Sequence, residues 1–203
     1  MLRFFLKGGI VMWPILALSV VSLSIIMEKF YSFHRARLNL PQFLSKIKDC
    51  LIKGEVKRAL DICRKTSSPL AGMCRVVIEN QQLSQERKEE FFSQFSSVQI
   101  RDLGKNLRAL GIIGHICPLL GLFGTVLGMI KAFMAVEKMT GSVNPGVLAG
   151  GIWEALLTTA AGLAVAIPTL AAYYYLEGKL EDISLQMRDV VFQVEKFLKE
   201  DER

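Results

Sequence analysis

The sequence predicts an all-α membrane protein: three transmembrane helices, the second and third extended into the cytoplasm, with a helical cytoplasmic insertion between the first and second. Two observations carry this. The 203 residues are 51% hydrophobic with a mean hydropathy of +0.35, and the apolar residues gather in three uncharged runs. These are 8–27 between Lys7 and Glu28, 109–130 between Arg108 and Lys131, and 155–176 between Glu154 and Glu177. Each reaches the ~20 residues that a helix rising ~1.5 Å per residue needs to cross ~30 Å of hydrocarbon. The polar remainder spaces its apolar residues by threes and fours, with no strand-like alternation.

The first run follows Arg3 and Lys7 as a signal peptide would. It exceeds the ~7 to 15 apolar residues usual there and lacks a small-x-small cleavage site, so a retained anchor is expected. Basic residues collect on cytoplasmic flanks. Lys29, Arg35 and Arg37 follow the first run, Arg101, Lys105 and Arg108 precede the second, and Lys179 follows the third. The connection between the second and third runs carries only Lys131 and Lys138. The expected orientation in the cell inner membrane is therefore N-terminus periplasmic, insertion and C-terminus cytoplasmic. The expected divisions are 1–27 (N-terminal region and first span), 28–108 (insertion and start of a long helix), 109–176 (second and third spans with a short periplasmic connection) and 177–203 (helical tail).

Within the insertion, Pro41 opens a helix bearing Phe43, Leu44, Ile47 and Leu51 that ends at Gly54. A second helix covers 55–65, with Ala59, Leu60 and Cys63 on one side. Ser67, Ser68 and Pro69 punctuate, and Leu70, Met73, Val76 and Val77 mark a third. Ser84 is placed to cap a long helix in which the charged stretch QERKEEFF leads into Phe91, Phe95, Val98, Leu103, Leu107 and Leu110. That helix is expected to run unbroken into the second span, with Gly104 its weakest point. In the tail, Leu180, Ile183, Met187, Val190, Val194 and Phe197 alternate steps of three and four, as a helix that packs on a neighbour does.

Several function classes lose support here. The net charge of +6 mixes bases with acids and forms no aromatic-interleaved basic stripe, so no nucleic-acid partner is expected. Cys50, Cys63, Cys74 and Cys117 show no CxxC spacing, and His34 and His115 stand far apart, so neither a metal nor a cofactor is expected. HExxH, GxSxG and phosphate-loop motifs are absent, and no enzyme is expected.

The spans themselves carry unusual residues. The second holds Gly121, Gly124, Thr125 and Gly128, and in the third Ala155, Thr159, Gly162 and Ala166 share a face with Thr158 beside it. Small residues at such spacing mark close helix contacts in lipid. Pro118 and Pro168 free backbone carbonyls, which are tolerated where protein or water satisfies them. Two readings stay open for the threonines: hydroxyls returned to their own backbone, or a wet or partner-filled pathway. Two also stay open for Glu154: an acid favoured by a helix N-terminus, or a mouth-lining carboxylate. No acid lies in mid-span, so a proton moved through these helices would titrate on a partner's group.

The stretches CPLLGLFGTVLGMIKAF and GIWEALLTTAAGLAVAIPTLAAYY, in this order and separation, resemble the ExbB/TolQ/MotA family of proton-driven motor subunits, closest to the three-span ExbB and TolQ branch. The resemblance implies a homopentamer whose second and third spans surround a pore. That pore would hold single helices of an ExbD- or TolR-like protein with a membrane Asp, and the assembly would act on a TonB- or TolA-like force-transmitting protein. It places Thr125 and Thr159 as pore-facing hydroxyls near that Asp, with Thr158 beside them, Glu154 as the family's acid, and Pro118 and Pro168 at the family's prolines. The chain is then expected to couple proton flow to force across the envelope. The alternative is a non-transporting helical scaffold in the bilayer, whose small faces only pack.

Overall fold

The computed structural model describes residues 9–138 and 145–201. Arg3, Lys7 and residues 139–144 of the connection between the second and third spans lie outside the described residues. Seven helices are described: α1 (Met12–Ala36), α2 (Leu40–Ile52), α3 (Val56–Lys65), α4 (Pro69–Glu79), α5 (Gln85–Gly104), α6 (Leu107–Glu137) and α7 (Pro145–Asp201). Among the described residues three helices are long and apolar enough to cross a membrane.

Two units emerge, and α1 and α7 contribute to both. The first comprises the described residues of Met1–Met27 and Asn106–Tyr175. Its interior is built mostly from small side chains, because α6 buries Gly111, Gly114, Cys117, Gly121, Gly124, Gly128 and Ala132. Leu18 and Ile25 of α1 pack with Ile113, Cys117 and Ala166. A membrane helix gains little by burying Leu away from lipid tails, so close backbone contact takes the place of a large-residue core.

The second unit, Glu28–Lys105 with Leu176–Arg203, has a core of the soluble kind. Ile47, Leu51, Met73, Val77 and Ile78 are buried together with Met187, Val190 and Val194 of α7. The tail's three-and-four stripe therefore finds its neighbour within its own chain. Local signals place α2 to α4 where the sequence puts them. Pro41 lies in the first turn of α2. Gly54, at φ +71°, closes α2 with bonds from its N–H to the Leu51 carbonyl (2.9 Å) and from Glu55 N–H to the Cys50 carbonyl (2.9 Å). That pair of bonds is a Schellman cap, and only glycine takes its positive φ without steric cost.

Two expectations need correction. The helix through Gly104 is interrupted: Lys105 is extended (ψ 135°) and Asn106 left-handed (φ 68°) before α6 begins. Asn tolerates that conformation better than most residues because its short side chain bonds locally. Ser84 takes the N-cap position of α5 but makes no side-chain cap bond. On α5, Phe92 is buried whereas Phe91 and Val98 are each 45% exposed.

Candidate functional site in the membrane-spanning helices

The small residues of α6 and α7 face each other. A Cβ built on Gly121 would lie 2.9 Å from Thr159 Cα, one on Gly124 2.6 Å from Thr158 Cβ, and one on Gly128 2.9 Å from Ala155 Cβ. On α7, a Cβ on Gly162 would lie 2.5 Å from the Cys117 carbonyl oxygen. The seam continues beyond the predicted residues. Gly114 abuts the side chain of Leu170, Gly111 the ring of Tyr173, and Gly151 meets Ala132. Along most of this length the backbones approach as closely as glycine permits, so the glycine face forms a contact within one chain.

The threonines divide by position. Thr158 is 1% exposed, and its hydroxyl donates to the carbonyls of Ala155 (2.8 Å) and Glu154 (3.0 Å) on its own helix. It fills the notch over Gly124. The buried line of α7 thus runs Ala155, Thr158, Gly162, Ala166, Thr169, with Thr159 at its half-buried edge. Thr159 Oγ1 donates across to the Gly121 carbonyl at 2.8 Å. Thr125, half-buried on α6, donates to the Leu122 carbonyl at 2.6 Å and borders a groove lined by Val126, Met129, Ile130, Phe133, Met134 and Glu137. Thr125 and Thr159, but not Thr158, therefore retain an open side.

Both prolines lie inside helices that continue through them. Each lacks the N–H that would bond four residues back, which frees the carbonyls of Gly114 and Ala164. Pro118 is half-buried and Pro168 exposed. Nearby, the His115 ring donates from Nδ1 to the Gly111 carbonyl at 2.7 Å, and the buried Thr169 hydroxyl, not singled out from sequence, donates to the Val165 carbonyl at 2.7 Å.

Glu154 lies in the third turn of α7, which begins at Pro145. A helix dipole acts within the first turn, so the cap reading does not hold. Its carboxylate instead accepts from Lys131 Nζ of α6 at 2.9 Å, with the two side chains 28% and 58% exposed. Gly9, at φ +70°, comes so near that a Cβ there would run into Glu154 Oε1. Sequence reasoning missed this pairing because Lys131 and Glu154 belong to different helices.

Lys131→Glu puts two carboxylates side by side. We expect it to lower stability in detergent by about 1 kcal/mol, as for a partly exposed pair, and the exchange Lys131→Glu/Glu154→Lys to recover most of it. A thermal unfolding series decides: losses that merely add in the double variant would show that the pair is not coupled.

Long apolar helices joined by a small-residue seam, with hydroxyls at its edge, define a multi-pass helical membrane protein. The MotA/TolQ/ExbB proton channel family matches over residues 65–189, and the chain belongs to that family. It is 31% identical to the biopolymer transport protein exbB1 of Vibrio cholerae, covering 80% of this chain and 73% of that one. It is 27% identical to an ExbB homolog of Methanothermobacter thermautotrophicus, covering 89% of this chain and 64% of the relative, so it spans under two thirds of that relative's length. In fold it matches a chain of the solved structure of C. jejuni MotAB, with a TM-score of 0.66, 17% identity, and coverage of 98% of this chain and 78% of that one.

Proposed function

We propose that this chain is the pore-forming subunit of an inner-membrane proton-driven motor that transmits force across the cell envelope, ExbB-like or TolQ-like. The observation that carries the reading is the placement of Thr125 and Thr159. They are half-buried hydroxyls at the edge of the α6/α7 seam, in spans whose sequence holds no Asp, Glu, Lys or Arg between Ala109 and Ile130 or between Ala155 and Leu176, and whose one histidine, His115, is bonded through Nδ1 to the Gly111 carbonyl. With no carboxylate in either span, the proton is carried in this reading by a group from elsewhere. In this reading a homopentamer of the chain surrounds the helices of an ExbD- or TolR-like single-span protein and receives its membrane Asp. Protonation of that Asp from the periplasmic side neutralises a charge that low dielectric makes costly, and release to the cytoplasm restores it. The N-terminus would be periplasmic, the second unit cytoplasmic, and a TonB- or TolA-like protein would take up the force.

One observation favours the scaffold reading. The Thr125, Thr158 and Thr159 hydroxyls all donate to backbone carbonyls, and the glycines are used in packing. The two readings separate in proton uptake by liposomes holding the chain together with its single-span partner. Thr125→Val/Thr159→Val should lower the rate about ten-fold, the cost of roughly 1.4 kcal/mol of lost stabilisation along the path. A rate equal to that of the unchanged protein, with the complex intact, would leave the scaffold reading.

A further inference from the structure

His115 is the only histidine in the uncharged stretches 109–130 and 155–176, and histidine is the side chain that ordinarily gains and loses a proton near neutral pH. It is exposed on α6, whereas Gly111, Gly114 and Cys117 around it are buried in the seam. An ionisable side chain inside a span is costly against lipid and as a rule faces a protein interior or a wet cavity. Its place on the helix says which. Steps of seven, four, three, four and four lead from His115 through Leu122, Val126, Met129 and Phe133 to Glu137, which puts all six on one face of α6. The last four of them line the groove that Thr125 borders. That face therefore has a carboxylate at one end, a hydroxyl at its edge midway and an imidazole toward the other end, with apolar residues between. At ~1.5 Å per residue, His115 lies about 15 Å from Thr125 along the axis, on the side of Arg108.

The ring is also held in one tautomer. A carbonyl only accepts, so the 2.7 Å contact with Gly111 places a proton on Nδ1. The lone pair of the neutral imidazole is then at Nε2, which has no partner among the described residues of the chain. The neighbouring helices bring no charge to it, since 12–27 of α1 and 155–176 of α7 contain no Asp, Glu, Lys or Arg. The other ionisable groups nearby are the Tyr173 ring, which lies against Gly111, the buried Cys117 and, about two turns along α6, Arg108.

We propose that His115 is a proton-release relay, the base that takes the proton leaving the single-span partner's Asp and hands it to the cytoplasm. The inference rests on the pore reading above and names a residue on that path. The O–H bond of the aspartic acid breaks, the proton passes through water in the groove to Nε2, and the new N–H bond makes an imidazolium whose other N–H stays on the Gly111 carbonyl. Nε2 then gives its proton to cytoplasmic water and the neutral ring is restored. Because Nδ1 is occupied throughout, the proton arrives and leaves at the same nitrogen, and the ring does not have to turn over between protons. No electrons are exchanged, and each proton taken up is one released.

The test is proton uptake by liposomes holding the full-length chain with its single-span partner, with rates taken per assembled complex after size exclusion. Glutamine and glutamate have nearly the same shape. An ionised glutamate cannot donate to the Gly111 carbonyl as glutamine can, and glutamine cannot take up a proton. A ring that only satisfied its own helix would therefore be replaced better by His115→Gln, and a relay better by His115→Glu. The expected result is uptake about a hundred-fold lower in His115→Gln, the lower end of what a positioned acid–base group contributes, and within about ten-fold of the unchanged protein in His115→Glu. Uptake in His115→Gln that equals that of the unchanged protein, or is no lower than in His115→Glu, overturns the proposal while leaving the pore reading in place. Absence of uptake by the unchanged complex removes the pore reading itself, and this inference with it.

Discussion

Gly124→Leu should separate α6 from α7 and abolish assembly. A Cβ at this position already falls 2.6 Å from both Cβ and Oγ1 of Thr158. Neither atom can rotate away, because Cβ is fixed by the backbone and the hydroxyl is held by two carbonyls. The helices could relieve the clash only by moving apart. That movement would break the close contacts of Gly121 and Gly128 with Thr159 and Ala155. Overpacking a tight interface costs about 1–3 kcal/mol for a small addition, so Gly124→Ala should cost about 2 kcal/mol and Gly124→Leu more than about 4 kcal/mol. Thermal unfolding in mild detergent, with size-exclusion profiles, reads both. Leu119→Ile, at a site 63% exposed, should change stability by less than about 0.5 kcal/mol. Leu127 would serve less well as a lipid-facing control, because it is half-buried. The sharpest check is Gly124→Ala/Thr158→Gly, which removes the opposing Cβ. It should recover part of the loss despite the ~1 kcal/mol helix penalty of glycine. No recovery would mean that Thr158 is not the atom group in the way.

The same seam shows where sequence reading succeeds and where it stops. Uncharged runs locate spans because lipid length is a one-dimensional constraint, and the three runs correspond to the three long apolar helices. Small residues at Gly121, Gly124, Gly128 and Gly162 mark contact faces for the same reason, since close approach needs them on each helix separately. What those faces touch depends on register between helices, which no local spacing encodes. Thr158 and Thr159 are neighbours in sequence, yet one fills the seam and the other stands at its edge. Lys131 and Glu154 likewise meet only because α6 and α7 are side by side. The break at Asn106 was hidden for a different reason. Lys105 and Asn106 are poor breakers on propensity, and one left-handed residue suffices to end a helix.

Val190→Asp should unfold the second unit while leaving a single-position neighbour test unaffected. Met187, Val190 and Val194 are fully buried against helices α2 to α5, so the stripe that resembles an oligomer zipper in the sequence is part of an intramolecular core. A carboxylate placed there has no counter-charge among the core side chains. Burying it costs several kcal/mol or forces the core open, and a loss of about 4 kcal/mol rivals the whole stability of a small domain. Leu185→Asp makes the same chemical change at a site 52% exposed and should cost less than about 0.5 kcal/mol. Limited trypsin digestion distinguishes them: cleavage at Lys57, Arg64 and Arg75 within α3 and α4 should accelerate about a hundred-fold or more in Val190→Asp, as an opening equilibrium shifted by over ~2.7 kcal/mol requires. Truncation after Glu181 should behave like Val190→Asp, because it removes the same three side chains. Loss of oligomer with the second unit still protease-resistant would show instead that the tail serves contacts between copies.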